Sequence, residues 1–189
     1  LFIAGLYKLF GHYYVLVQIV QALLHALSSL ILFFICVKIF TPQINSAGEK
    51  VGLLAMGLYG LWPALIETTS MIEAETVFLF FVILSIYFAI EFFKKPDIKR
   101  ALWLSLAIGL GSSVRPTMVL FVLVFVILLL IKKIERRFIY LLILLVIPAI
   151  ILFAFMYENY IQHGRFVFTT AGGFNLWVGN NINANGEYE

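Results

Sequence analysis

Three carboxylates, Glu67, Glu73 and Glu75, stand within nine residues of one another in the segment WPALIETTSMIEAETVF. Carboxylates so grouped can act as general bases, accept hydrogen bonds from sugar hydroxyls or hold a hard cation. Glu73 and Glu75 flank a turn into an apolar run, where the helix dipole favours negative charge by about 0.3–1 kcal/mol, so capping alone explains them equally well. Arg115 is the complementary group. It follows the 14-residue apolar stretch 101–114, about 21 Å of helix, which leaves it several ångströms below the surface of a membrane. An arginine at that depth costs about 2.5–3.5 kcal/mol and turns toward a bundle interior or a polar cavity. The expectation is a buried Arg115 in a recessed cavity, facing a phosphate or a carboxylate such as Glu75. A purely structural Arg–Glu pair is the plainer alternative.

Other chemistries find no support in the residues. P-loop, HExxH, Ser–His–Asp and nucleic-acid patterns are missing from the sequence. His12 and His163 read as isolated, and no histidine has ligand spacing. The single cysteine, Cys36, lies in an apolar run and makes neither a disulfide pair nor a CxxC motif. No cofactor is indicated, although a carboxylate-held divalent metal stays open.

The elements that must position these groups are membrane helices. Of the 189 residues, 63% are hydrophobic and 12% charged, with a mean hydropathy of +1.04, where a soluble domain carries about 25% charged residues. Six apolar segments, 12–40, 51–66, 76–93, 101–114, 116–131 and 138–157, are helix candidates. Ten of the 13 basic residues fall at one set of helix ends: Lys38, Lys50, Lys94, Lys95, Lys99, Arg100, Lys132, Lys133, Arg136 and Arg137. The positive-inside rule makes those ends cytoplasmic. The opposite set collects Glu67, Glu73, Glu75, Glu158, Glu187 and Glu189 and faces outward. Leu1 then lies outside, and with no signal sequence before it a further membrane helix upstream is expected.

The fold expected is an all-α integral membrane protein, a polytopic bundle of about six spanning helices with a short extracytoplasmic loop region at its C-terminal end. Residues 1–11 are expected to form an interfacial helix, the stub of a spanning helix being the alternative, with 12–157 the six membrane helices and 158–189 the outer loop segment. Gln18, Gln21, His25 and Ser28 share one face of the first spanning helix and should hydrogen-bond to a neighbour. Ala101, Ser105, Gly109 and Ser113 repeat every four residues, a face for close helix approach. Arg165 to Thr170 reads as a short strand. Most aromatic residues fit lipid-facing and interfacial positions, and Trp62, Tyr157, Tyr160 and Trp177 near the outer boundary also suit stacking on sugar rings.

Taken in order, HYYVLVQIVQALLHAL, YGLWPALIETTSMIEAETVFLF, GLGSSVRPTMVLF and GRFVFTTAGGFNLWVGNN resemble the protein mannosyltransferase and aminoarabinose transferase group of the GT-C membrane glycosyltransferases. The last patch is the most specific. The resemblance implies an all-α membrane enzyme that moves a sugar, with inversion, from a polyprenyl-phosphate carrier to a glycan, lipid or protein acceptor on the extracytoplasmic side. It implies substrate-binding roles for Arg115, Gly172, Gly173, Asn175, Gly179 and Asn180, with Glu75 matching the glutamate that opens the third helix. The family's catalytic base is an Asp in its first outer loop. That loop is expected upstream of Leu1, which would leave this segment inactive alone, with Glu75 and Glu73 supporting. One position departs: relatives carry Arg-Asn where this chain reads Tyr157-Glu158-Asn159-Tyr160. The partners implied are the lipid-linked donor, its acceptor and membrane lipids, with no nucleic acid. A transporter or flippase and a non-catalytic assembly subunit are the alternatives; the first predicts internal repeats, of which the sequence has none.

Overall fold

The computed structural model describes residues 2–41, 47–132 and 134–168, with Trp177, Val178 and Asn180. Their regular structure is helical throughout: α1 (Phe2–Phe10), α2 (Tyr14–Phe40), α3 (Ala47–Gly60), α4 (Pro63–Ser70), α5 (Glu75–Lys94), α6 (Ile98–Val114), a 3-10 turn (Pro116–Met118), α7 (Val119–Ile131) and α8 (Arg137–His163). Three helices, α2, α5 and α8, are long and apolar enough to cross a membrane. Counting the bent pair of α3 and α4 as one span makes four.

Proline chemistry sets several boundaries. The expected helix over 51–66 starts earlier, at Ala47, and is broken before Pro63, with a 50° bend between α3 and α4. Trp62 is extended (φ −69°, ψ 117°), because a residue that precedes proline is pushed out of the helical region. The same rule ends α6: Arg115 is extended (φ −137°, ψ 120°) and Pro116 opens the 3-10 turn that leads into α7. The start of α6 lies at Ile98 rather than 101, since the Asp97 side chain caps it by accepting from the Arg100 backbone N–H at 2.8 Å.

The far end of α8 also differs from expectation. It runs past Tyr157 to His163 and stops at Gly164, whose φ of +66° is the left-handed cap that glycine adopts without penalty. The expected strand over Arg165–Thr170 does not form in its described part, 165–168. A lone extended segment has no ladder partner; instead the Val167 N–H bonds back to the Arg165 carbonyl, and the Val167 carbonyl accepts from Asn159 Nδ2 at 2.9 Å.

Small residues let the helices approach. A Cβ added at Gly52 of α3 would stand 2.7 Å from Phe33 Cδ2 and 3.0 Å from the Phe33 carbonyl oxygen on α2. On α6, Ala101, Ser105 and Gly109 are buried; the Ser105 hydroxyl donates to the Ile143 carbonyl of α8 at 2.8 Å, and a Cβ at Gly109 would meet Pro148 Cα at 3.2 Å. The apolar core joins α5, α6, α7 and α8, with Phe92 and Tyr140 edge-to-face at 5.0 Å.

Charge separates to the two ends of the bundle. At one end Lys38 pairs with Glu91 at 2.6 Å, Lys94 Nζ donates to the Lys38 carbonyl at 2.8 Å, and Arg100 pairs with Asp97 and approaches Glu91 at 3.9 Å. These bonds gather the end of α2, the end of α5 and the start of α6. At the opposite end Glu75 and Arg115 join the start of α5 to the end of α6.

Gly52→Val should lower stability by about 1–3 kcal/mol through overpacking against Phe33. Gly57, with nothing within 4 Å of an added Cβ, should accept Ala with no loss. Thermal unfolding of both variants in one detergent checks the pair, and equal melting temperatures would contradict the packing assignment.

Candidate functional site

The site at the acidic end begins with the polar face of α2. Gln18 Nε2 donates to the Ser70 carbonyl and Gln21 Nε2 to the Glu73 carbonyl, both at 2.7 Å. His25 Nε2 donates to the Gly60 carbonyl at 3.2 Å, its ring stacked on Tyr59 at 5.0 Å. Gly60 and Ser70 are the last residues of α3 and α4, and helix ends leave carbonyls without intrahelical partners. Lipid supplies no hydrogen bond to such groups. The stripe therefore satisfies the broken span and fixes the backbone at Glu73. Ser28, the fourth member, turns back to the Leu24 carbonyl of its own helix at 2.8 Å.

Glu75 is the first residue of α5, and its carboxylate accepts from Arg115 Nη2. The Arg115 guanidinium also lies 5.7 Å from the centre of the Phe78 ring. The expected partner is present, but the expected burial is not: the Arg115 and Glu75 side chains are 47% and 33% exposed. Because α6 ends at Val114 and Arg115 is extended, the side chain reaches the edge of the bundle rather than its interior. An ion pair this exposed is worth about 0–1 kcal/mol.

Beside it opens a cavity of about 650 Å³ between α1, α5, α6 and α8. Its walls are mostly apolar, with Phe2 and Ile3 from α1, Val77 and Phe81 from α5, Leu110 from α6, and Ile151 and Phe155 from α8. Glu73, Ser113 and Glu158 supply polar groups. Glu75 and Arg115 are not in the lining; their chain neighbours Ala74 and Val114 are. The two candidate acids are thus divided. Glu75 is engaged by Arg115, whereas Glu73 is exposed at the cavity, and among the described residues its carboxylate has no hydrogen-bond or ion-pair partner.

Glu158 is the lining acid that sequence reasoning placed on the outward face and noted as a departure, but did not name as a site residue. It accepts from Gln162 Nε2 at 2.6 Å. The signal was present in the spacing: Ile151, Ala154, Phe155 and Glu158 recur at helical intervals of one face, as do Val77 and Phe81. Asn159, in the same departing stretch, holds the chain beyond α8 through the Val167 carbonyl.

Of the remaining candidates, Gly172, Gly173, Asn175 and Gly179 lie outside the described residues, and Asn180 is exposed. Trp62, Tyr157, Tyr160 and Trp177 are all exposed. His12 is not isolated, since its ring stands 4.4 Å from that of Tyr7. Among the described residues no group of three or more His, Cys, Asp or Glu is arranged to hold a metal.

Residues 1–157 match the dolichyl-phosphate-mannose-protein mannosyltransferase family. No curated protein and no solved structure matches the chain.

Gln21→Leu keeps the volume but leaves the Glu73 carbonyl without its donor. A loss of about 1 kcal/mol is expected, in the range of interhelical hydrogen bonds in membranes, with faster amide exchange across 71–76. Unchanged exchange there would show that Gln21 does not hold the turn.

Proposed function

Because the chain belongs to the dolichyl-phosphate-mannose-protein mannosyltransferase family, a family of membrane glycosyltransferases, we propose that it transfers a sugar from a polyprenyl-phosphate donor to a glycan, lipid or protein acceptor. The observation that carries this reading is the cavity at the acidic end, with apolar walls, carboxylates at its mouth and Arg115 beside it. The basic end is cytoplasmic by the positive-inside rule, so the cavity opens to the extracytoplasmic side. In this topology α6, and α7 with its leading turn, complete six spans with α2, the α3–α4 pair, α5 and α8.

The chemistry follows from the chain's own groups. A polyprenyl tail stays in lipid while its phosphate and sugar enter from the membrane boundary. The phosphate competes with Glu75 for Arg115, and a guanidinium binds phosphate through two parallel N–H bonds. Attack by the acceptor hydroxyl on the anomeric carbon, from the face opposite the phosphate, breaks the C–O bond to the carrier and inverts the centre. Negative charge grows on the leaving phosphate as that bond breaks, and Arg115 stabilises it there. The family resemblance assigns the main base, which takes the acceptor's proton, to an Asp of the first outer loop. Glu73, free of an ion-pair partner among the described residues, supports the acceptor hydroxyl at the mouth. Glu75 sets the resting position of Arg115. The Gly172, Gly173, Asn175, Gly179 and Asn180 run is assigned to substrate contact by its resemblance alone.

Transfer from a polyprenyl-phosphate mannose donor by the full-length protein tests these roles. Arg115→Ala should lower kcat by about 10²–10³-fold, with partial recovery in Arg115→Lys, and Glu73→Gln should reduce kcat more than it changes donor KM. Wild-type transfer by Arg115→Ala would remove the leaving-group role. Proteoliposomes that move a lipid-linked substrate without any sugar transfer would replace the enzyme reading with the flippase one.

A further inference from the structure

A second concavity, of about 360 Å³, lies between α5 and α7 toward the basic end, away from the acidic-end cavity. Ile86 and Phe93 of α5 and Phe125 and Leu128 of α7 form apolar walls, and Lys94 and Lys132 are the charged members of its lining. We propose that this groove binds an anionic phospholipid, one acyl chain between the helices and the phosphate headgroup on the two lysines.

Charge complementarity selects the occupant. Lys38 is paired with Glu91, and Arg100 with Asp97 with Glu91 nearby. Lys94 and Lys132 have no carboxylate partner among the described residues. Lys132 Nζ stands 5.0 Å from the centre of the Phe93 ring, and Lys94 Nζ donates to the Lys38 carbonyl at 2.8 Å. An ammonium has three donors, so Lys94 keeps two for a ligand.

The depth fits as well. Lys94 closes α5, a helix long enough to span, and Lys132 caps α7 beside it, while Ile86 lies about 12 Å farther along α5 into its apolar part. A basic site between membrane helices is the arrangement that recognises phospholipid phosphate. A choline headgroup brings its own cation to the same two lysines and is disfavoured.

The proposal does not depend on the sugar-transfer reading, and lipid binding by the purified full chain tests it. Native mass spectrometry in detergent compares retention of phosphatidylglycerol and phosphatidylcholine with identical acyl chains. The wild type should prefer phosphatidylglycerol by at least about tenfold. Each lysine near an anionic surface is worth about 1 kcal/mol, so Lys94→Gln with Lys132→Gln should weaken that binding about 30-fold. Ile86→Trp, which fills the groove from a side chain already 38% exposed, should weaken it with both lysines intact. Melting temperatures within a few degrees of wild type keep the comparison meaningful, and Lys94→Arg with Lys132→Arg, which retains charge, should bind as wild type. Equal retention of the two lipids, or an equal loss from the control Lys99→Gln with Arg137→Gln, would overturn the site in favour of diffuse surface charge. Displacement of phosphatidylglycerol by a polyprenyl phosphate at equal concentration would also overturn it.

Discussion

A backbone carbonyl released at a helix break has no water to turn to inside a bilayer, and this constraint governs the acidic half of the bundle. The chain breaks a helix at Leu61–Trp62 and ends the next one at Ser70, then answers the exposed groups with amide and imidazole donors from a single face of α2. Gln21 is fully buried, so its bond to the Glu73 carbonyl is shielded from competing water. The break turns α4 by 50° from α3 and leads into the turn that carries Glu73. Glu73 reaches the cavity because of that turn. Straightening α3 and α4 into one helix would remove the turn's position and with it the approach of Glu73 to Val77, Phe81 and Glu158.

The two ends of the bundle use charge differently. At the basic end, pairs and caps tie helix ends together: Asp97 closes the first turn of α6, and Glu91 lies between Lys38 and Arg100. At the acidic end a single described ion pair, Glu75 with Arg115, bridges α5 and α6, and it is half exposed. A pair with little net stability is easily exchanged for another anion, since replacing one acceptor by another costs only the difference between two modest terms. A tightly buried pair would have held Arg115 against any ligand. The extended backbone that Pro116 imposes on Arg115 is therefore what keeps the cation at the edge, where it remains available.

Much of this architecture was legible in the residues, and the misses share a cause. The polar face of α2, the small-residue face of α6 and the pairing of Glu75 with Arg115 follow from spacing of 3 and 4 or from the cost of an isolated charge in lipid. The break at Trp62–Pro63 was hidden because hydropathy runs on through it; only the proline marks it. Arg115 is more exposed than expected because Pro116 holds it extended beyond the end of α6 rather than within the helix. Val167 reads as strand by composition, yet strands need partners, and Asn159 takes its carbonyl instead.

Glu73 and Glu75 show why proximity in sequence does not make two acids equivalent. They are separated by one residue, but Glu73 precedes α5 while Glu75 is its first helical residue. Helical geometry sends the Glu75 side chain toward α6, where its carboxylate meets Arg115 at the N-terminal end of α5. Glu73 has its backbone held by Gln21 and its carboxylate left over for the cavity. Fixing the main chain while leaving the side chain free suits a group that must meet a changing partner, because the backbone entropy is already lost on folding and only the side chain is ordered on binding. The acid already committed to an arginine positions that arginine, and the uncommitted one faces the cavity.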